Sequence, residues 1–415
     1  MVIKTNLKFN NPFIALKHKN YRYYWLGMCV SLIGTWMQNI AQPWLAYNLT
    51  NSPFLLSLIG ALQFTPMLFF SLIAGVFIDK HNKKKIILLT QSLSLVITFI
   101  LALLVWAGQV QYWHILVSAT ALGMVNTLDM PARQAFVIEI AGKADLMNAI
   151  ALNSAVFNAA RVIGPALAGI IMEYAGIAFC FLFNSISFAA VIISLLLIKP
   201  LTAQSKPKKN AKVLTDIKEG LKYIYKHDIL LNSILLMAII GTFAMNFNVL
   251  VPVFAKEILK QKETGFGFLM SFMGIGSFIG ALFIASISKP GPNKRFFNIL
   301  PVAIAIFLII TGITRIYLIT GLCLALTGFF FISFSSTVNS TMQLNSKDEY
   351  RGRVMSIYSL VFAGSTPLGN LYAGAFTDHF GARTGFGACG AIIILLLIPI
   401  YIKAFNKRSR RSINT

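Results

Sequence analysis

Residues 54–107, FLLSLIGALQFTPMLFFSLIAGVFIDKHNKKKIILLTQSLSLVITFILALLVWA, hold two long apolar runs joined by a short turn that contains four lysines and Asp79. As a helix rising about 1.5 Å per residue, each run is long enough to cross the roughly 30 Å of hydrocarbon in a bilayer. Backbone N–H and C=O groups in lipid must be satisfied within their own segment, and a single run can do that only as a helix.

The same alternation continues in both directions. The 415 residues are 57% hydrophobic and 12% charged, and the mean hydropathy is +0.72, well above the balance of a water-soluble domain. Apolar runs fall near 23–49, 54–78, 86–107, 113–130, 148–175 and 178–198, then near 229–255, 266–288, 296–315, 317–343, 355–377 and 385–402. The expected fold is all-α and integral to the membrane, with twelve spans. An even number returns the chain to its starting side.

The net charge of +23 has a definite place. Of 36 Lys and Arg, 30 lie in alternate connecting segments (1–22, 79–85, 129–147, 199–228, 289–295, 345–354 and 403–415), while Lys256, Lys260, Lys262, Arg315 and Arg383 lie in the others and Arg161 lies inside a span. Such asymmetry follows the positive-inside rule and predicts that both termini are cytoplasmic, in a multi-pass protein of a bacterial inner membrane. The basic balance then reflects topology and contact with anionic lipid headgroups, and no nucleic-acid partner is expected.

Residues 1–21 are polar and basic, without the pattern of a cleavable signal, so the first apolar run reads as a retained span. Cys29, Cys180, Cys323 and Cys389 sit in apolar segments without CxxC or CxxH spacing, so neither a metal site nor a disulfide framework is expected.

One long polar connection divides the chain. It opens KPLTAQSKPKKNAK, with too little apolar surface to bury, and continues LTDIKEGLKYIYKH, where Leu214, Ile217, Leu221 and Ile224 recur at helical spacing opposite lysines. The expected organisation is an N-terminal six-helix bundle in 1–198, a cytoplasmic linker with a surface helix in 199–228, and a C-terminal bundle with a basic tail in 229–415. The halves echo each other: IGPALAGIIMEYAG recurs as GSTPLGNLYAGAFTDHFG, aligning Gly169 with Gly374, Glu173 with Asp378 and Gly176 with Gly381. Duplicated halves around a midplane site are one plan for a transporter.

Three motifs make the chain resemble the major facilitator superfamily. The turn GVFIDKHNKKK carries Gly75, Asp79, Lys80, Lys83 and Lys84 in the superfamily's loop pattern, whereas the corresponding loop SISKPGPNKRF lacks the Asp. The resemblance implies a latch in which Gly75 allows close helix approach and Asp79 pairs in one conformation only; an ordinary basic turn is the alternative. RVIGPALAG resembles the Gly-Pro motif of the antiporters, with Ala151 and Ala160 in place of two glycines, and implies packing by Gly164, Pro165 and Gly169 that seals the outward side. Finally, DMPARQAFVIEIAGKADLMNAIALNSAVFNAAR and DEYRGRVMSIYSLVFAGSTPLG are similar to segments of the exporter branch that includes the enterobactin exporter and macrolide efflux proteins.

Candidate pathway residues come from polar positions inside spans. Asn153, Ser154, Phe157, Asn158 and Arg161 fall within roughly 140° of arc on the fifth span. Arg161 lies near mid-membrane, where a charge costs about 2.5–3.5 kcal/mol and therefore faces a cavity or a partner. Thr35, Gln38 and Gln42, following Ser31, form a polar stripe on the first span, explained as well by contacts between helices as by a pathway. Asn246 with Thr242, and Asn339, are the counterparts in the second half.

The sequence gives no catalytic constellation: His18, His81, His114, His227 and His379 sit at span ends or outside, and no Walker sequence is present. No enzyme activity and no cofactor are expected, and the protein is expected to act as a monomer. The expected function is a secondary active exporter of a small amphiphile, a siderophore or drug-like compound. Proton coupling is implied by the resemblance alone, with Asp129, Glu139, Glu173 and Asp378 as candidate carriers; Asp129 with Arg133 also reads as a structural pair. A proton-coupled importer and a nontransporting sensor are the alternatives.

Overall fold

The computed structural model describes residues 12–198, 213–287 and 294–413, which form thirteen α-helices and one short 3₁₀-helix, Ile14–Lys17. The start of the linker and its sequence up to residue 212 lie outside the described residues, as does most of the loop after the eighth span. The helices are α1 (Lys19–Thr50), α2 (Pro53–Lys80), α3 (Lys83–Trp106), α4 (Tyr112–Tyr174), α5 (Ile177–Leu197), α6 (Val213–Lys226), α7 (Asp228–Ala244), α8 (Phe247–Glu257), α9 (Glu263–Ile287), α10 (Lys294–Ile313), α11 (Tyr317–Leu344), α12 (Asp348–Phe380) and α13 (Ala382–Ile413).

Ten helical segments among the described residues are long and apolar enough to cross a membrane, counting α4 as two arms and α7 with α8 as one. Helices α1 and α12 complete twelve crossings. Both are long, 32 and 33 residues, yet more polar, and both pack extensively on other helices, α1 on α4 and α5 and α12 on α2 and α7.

Two boundaries differ from the sequence pattern. Residues 131–147 read as a connection, but helix continues past Asp129 and Pro131, and α4 breaks only at Gly142, whose φ of 73° is a conformation that costs glycine little. The fourth and fifth spans are therefore the arms Tyr112–Gly142 and Ala144–Tyr174. The seventh span, expected as one helix, is interrupted at Met245 and Asn246, and Asn246 becomes the N-cap residue of α8.

Within the N-terminal half, α1 packs against α5 through glycines: Gly27 lies against Ser194, and Gly34 against Asn184 and Ser187. The halves meet chiefly along two pairs, α2 with α12 and α4 with α9, and α8 adds contacts with α1 and α2. These contacts are concentrated away from the basic turns. Gly60 meets Asn370 and Gly374 meets Ser57, while Gly169 lies against Glu263, Thr264 and Gly267, so that a methyl group there would stand 2.9 Å from the Glu263 carbonyl oxygen. Toward the basic end, α2, α6 and α12 surround a cleft of about 320 Å³ lined by Met67, Leu68 and Ser71 of α2, Ile217 of α6, and Met355, Ser359 and Leu360 of α12.

Candidate functional site

Arg161 lies on the second arm of α4 at the level where that arm meets Gly274 of α9. The Arg161 carbonyl oxygen is where Gly274 of α9 makes its close approach, and one turn on Ser271 Oγ donates to the Val162 carbonyl at 2.8 Å. These backbone contacts fix the helix and leave the Arg161 side chain directed toward α1. There its guanidinium carbon stands 5.8 Å from the centre of the Trp36 ring, within cation–π range. Phe157 meets the same indole edge-on at 5.7 Å and is 42% exposed. The Arg161 Nε is buried without a hydrogen-bond partner, and among the described residues no carboxylate pairs with the guanidinium. A cation, two aromatic rings and an unmet donor thus lie together between α1 and the second arm of α4, in the N-terminal half and beside the contact with α9. The sequence singled out Arg161 and Phe157; Trp36 escaped notice because an aromatic in an apolar helix carries no signal of its own.

The other polar candidates divide. Asn158 stays beside Arg161, its Nδ2 donating to the Ser154 carbonyl at 2.8 Å, whereas Asn153 accepts from the Tyr21 hydroxyl at 3.0 Å. Gln38 is turned into its own half: its Oε1 accepts from Asn184 Nδ2 at 2.6 Å and from Thr98 Oγ1 at 3.3 Å, and its Nε2 donates to Gln42 at 3.4 Å. Both glutamines are buried. That part of the stripe ties α1 to α3 and α5, because a polar group surrounded by helices takes the nearest acceptor or donor. Thr35 donates back to the Ser31 carbonyl. Asn339 accepts from Gln343 on its own helix. Asn246, 1% exposed, donates to the Thr242 carbonyl, and its Oδ1 has no partner.

The end away from the basic turns is closed by polar contacts from half to half. Trp44 Nε1 donates to Glu263 at 3.0 Å, the Tyr47 hydroxyl donates to Glu257, and Lys256 Nζ reaches Asn48 at 2.8 Å and Asn51 at 3.2 Å. Trp44 also stacks on Phe266 at 5.2 Å. Asp378 accepts from Ser52 Oγ at 2.8 Å and from the Phe54 N–H at 3.3 Å, so a carboxylate of α12 caps the start of α2. Glu173 lies 4.0 Å from Lys262. Glu257 and Glu263 were missed in the sequence because they stand outside the apolar runs; the dense charge of KEILKQKE, residues 256–263, was the available sign.

At the basic end, ion pairs stay within a half. Lys83 pairs with Glu139 at 3.4 Å, Lys84 donates to the Ile198 carbonyl at 2.8 Å, His18 meets Asp145 at 2.7 Å and Arg353 meets Glu219 at 2.7 Å. Asp79 and Lys80 are exposed and have no polar partner among the described residues, and the space around the Gly75 α-carbon is empty. Deeper in the N-terminal half, Asp129 is filled on all sides: Arg133 Nε at 2.5 Å, Thr90 Oγ1 at 2.6 Å and Gln91 Nε2 at 3.0 Å.

Residues 10–413 match the family described as transmembrane secretion effector. The staphyloferrin A transporter of Staphylococcus aureus is 26% identical over 92% of this chain and 95% of that protein, and the multidrug efflux pump Tap of Mycolicibacterium fortuitum is 25% identical over 86% and 89%. Among solved structures, a bacterial homologue of the human lysosomal transporter Spinster superposes with a TM-score of 0.72 over 92% of this chain and 94% of that one, at 10% identity, a likeness of fold.

Proposed function

The chain belongs to the transmembrane secretion effector family of the major facilitator superfamily, and from that premise we propose that it is a secondary active exporter that carries a small amphiphile from the cytoplasm across the inner membrane by alternating access. The observation that carries this reading is the asymmetry between the two ends: halves clasped at one end and, on the α2–α12 side, parted around a cleft toward the other, with Arg161, Trp36 and Phe157 grouped in the N-terminal half beside the α4–α9 contact. The basic end is assigned to the cytoplasm, together with both termini, the linker and α6. Cargo enters there, the halves rock, and the clasp opens outward.

The reverse stroke needs the basic end to close. Bringing α2 toward α12 would fill the space at Gly75 and carry Asp79 to the start of α12, where a carboxylate is favoured by the helix dipole. Lys83 and Lys84, held within their own half, keep the turn in shape for that contact.

Inward proton flow is assigned as the drive. Glu257, Glu173 and Asp378 sit on the clasp, where protonation from outside weakens it and loss of the proton restores it. Asp129 positions Arg133 and takes no part, because its acceptors are already filled. The protein acts as a monomer, with substrate held by one chain.

Inverted membrane vesicles with an imposed pH gradient and a fluorescent reporter of internal pH test both claims. Adding a panel of siderophores and drugs is expected to discharge the gradient when a cargo is present, and only in vesicles that contain the protein. Uptake driven by the gradient in right-side-out vesicles would make the protein an importer. A purified protein that binds a compound and moves none in proteoliposomes would make it a sensor.

A further inference from the structure

Arg161 has more donors than the protein satisfies. Its guanidinium lies over Trp36 at 5.8 Å, its Nε is buried and unpartnered, and the described carboxylates that might have balanced it are engaged elsewhere: Asp129 by Arg133, Glu173 by Lys262, Asp378 by the start of α2. A cation–π contact replaces part of the hydration an arginine gives up, but it leaves the N–H groups in the plane of the fork without acceptors. Planar or tripodal oxyanions match that fork better than any neutral acceptor does. Beside it, Trp36 and the exposed Phe157 offer edges and faces to an apolar body.

Building on the carrier reading above, we propose that the cargo is an organic anion, bearing a carboxylate or sulfonate on an aromatic or aliphatic body, with Arg161 taking the oxyanion and Trp36 and Phe157 taking the body. The bound anion completes the missing half of a charge pair. Helix α4 therefore holds an incomplete site when empty, and cations of the same size and shape are rejected by the same arginine. The excess of positive charge around the open end draws anions toward it over a longer range.

The test uses the full chain in nanodiscs and two probes that differ by one group: 8-anilino-1-naphthalenesulfonate, an anion, and N-phenyl-1-naphthylamine, its neutral parent. Binding is read by probe fluorescence after subtraction of protein-free nanodiscs, and by quenching of Trp36 in a variant whose other tryptophans are phenylalanine. The sulfonate is expected to bind about tenfold or more tighter than the neutral parent, as a charge pair out of bulk water requires. Arg161→Gln should bring the ratio of the two affinities close to one, Arg161→Lys should keep part of it, and Trp36→Ala should weaken both probes.

A parent protein that binds the neutral probe as well as the sulfonate, or an Arg161→Gln variant that keeps the preference, overturns the proposal. If Arg161→Gln fails to fold, the parent ratio and the Arg161→Lys ratio decide alone. Failure here is separable from failure of the carrier reading. If Arg161→Gln keeps both affinities yet moves neither probe in proteoliposomes, the arginine serves the transport cycle and the anion assignment falls while transport stands. Selective sulfonate binding with no transport by the parent sinks the carrier and spares the site.

Discussion

The second arm of α4 and helix α12, each with the turn that follows it, carry matching glycines at one constant offset: Gly164, Gly169 and Gly176 in the first, Gly369, Gly374 and Gly381 in the second. Their surroundings match as well. Gly164 lies against Trp36 of α1 while Gly369 lies against Thr242 and Asn246 of the broken seventh span, and Gly169 meets the start of α9 as Gly374 meets the start of α2. Gly176 and Gly381 both take positive φ, 103° and 85°, and turn the chain into the next span. At the same offset, however, Arg161 corresponds to Thr366, which is 6% exposed. The two helices therefore share how they close and differ in what they present. The close packing is duplicated, whereas the charge that we propose meets the cargo occurs once.

The largest effect is expected from attacking what is shared. Gly169→Leu and Gly374→Leu each force a side chain into a helix contact, and overpacking by about 1–3 kcal/mol or more against the closed end predicts a transport loss of tenfold to hundredfold. A cysteine placed at Trp44 should then label readily from the outside. Equal damage from the two variants supports duplicated closure; a variant with parental transport and labelling breaks it.

Next comes the difference itself. Arg161→Thr copies the second half into the first, and is expected to lower transport of an organic anion about tenfold or more while the melting temperature holds. Removing a cation without a carboxylate partner strands no partner charge, so a fall in Tm beyond about 2–4 °C, the change that ~1 kcal/mol brings in a unit of roughly 150–250 residues, would assign the arginine to packing instead.

Smaller shifts should follow at the clasp. Glu257→Gln and Asp378→Asn each replace a charge-assisted hydrogen bond, a loss of about 1–2 kcal/mol at most, so outward exposure should rise about three- to thirtyfold. The change should be less for Asp378, whose contacts are exposed to solvent. Paired-cysteine crosslinking across α2 and α12 reads this, and unchanged crosslinking in both variants would remove the clasp from the mechanism.

The smallest effect on binding is expected at the basic turn, the loop whose second-half counterpart lacks the acid. Asp79→Asn should leave probe affinity within about twofold, because Asp79 is exposed without a polar partner among the described residues, and should slow turnover if, as proposed, it makes a helix-capping contact of about 0.3–1 kcal/mol when that end closes. A loss of binding equal to the loss of turnover would contradict a role confined to one state.

Much of this was legible in the residues. The apolar runs, the duplication and the basic segments predicted all-helical halves, and the family motifs pointed to a carrier, because hydrocarbon leaves a chain few choices and charge asymmetry marks the sides. The boundary at 131–147 was misread for a related reason: Asp129, Arg133 and Glu139 look like a loop until their partners Thr90, Gln91 and Lys83 on α3 are seen. Helix there can carry charge because other helices satisfy it.

Periodicity along one helix could say that Gln38 and Arg161 both needed company. It could not say which would find hydrogen-bond partners and which would be left short of them, since that depends on residues far away in sequence: Asn184 and Thr98 for the glutamine, and only the face of Trp36 for the arginine. The crossings and their duplication were fixed locally, by the cost of polar backbone in lipid. The clasp and the unfinished charge at Arg161 were decided only by folding, because a polar side chain in a membrane protein is defined by what the other helices bring to it.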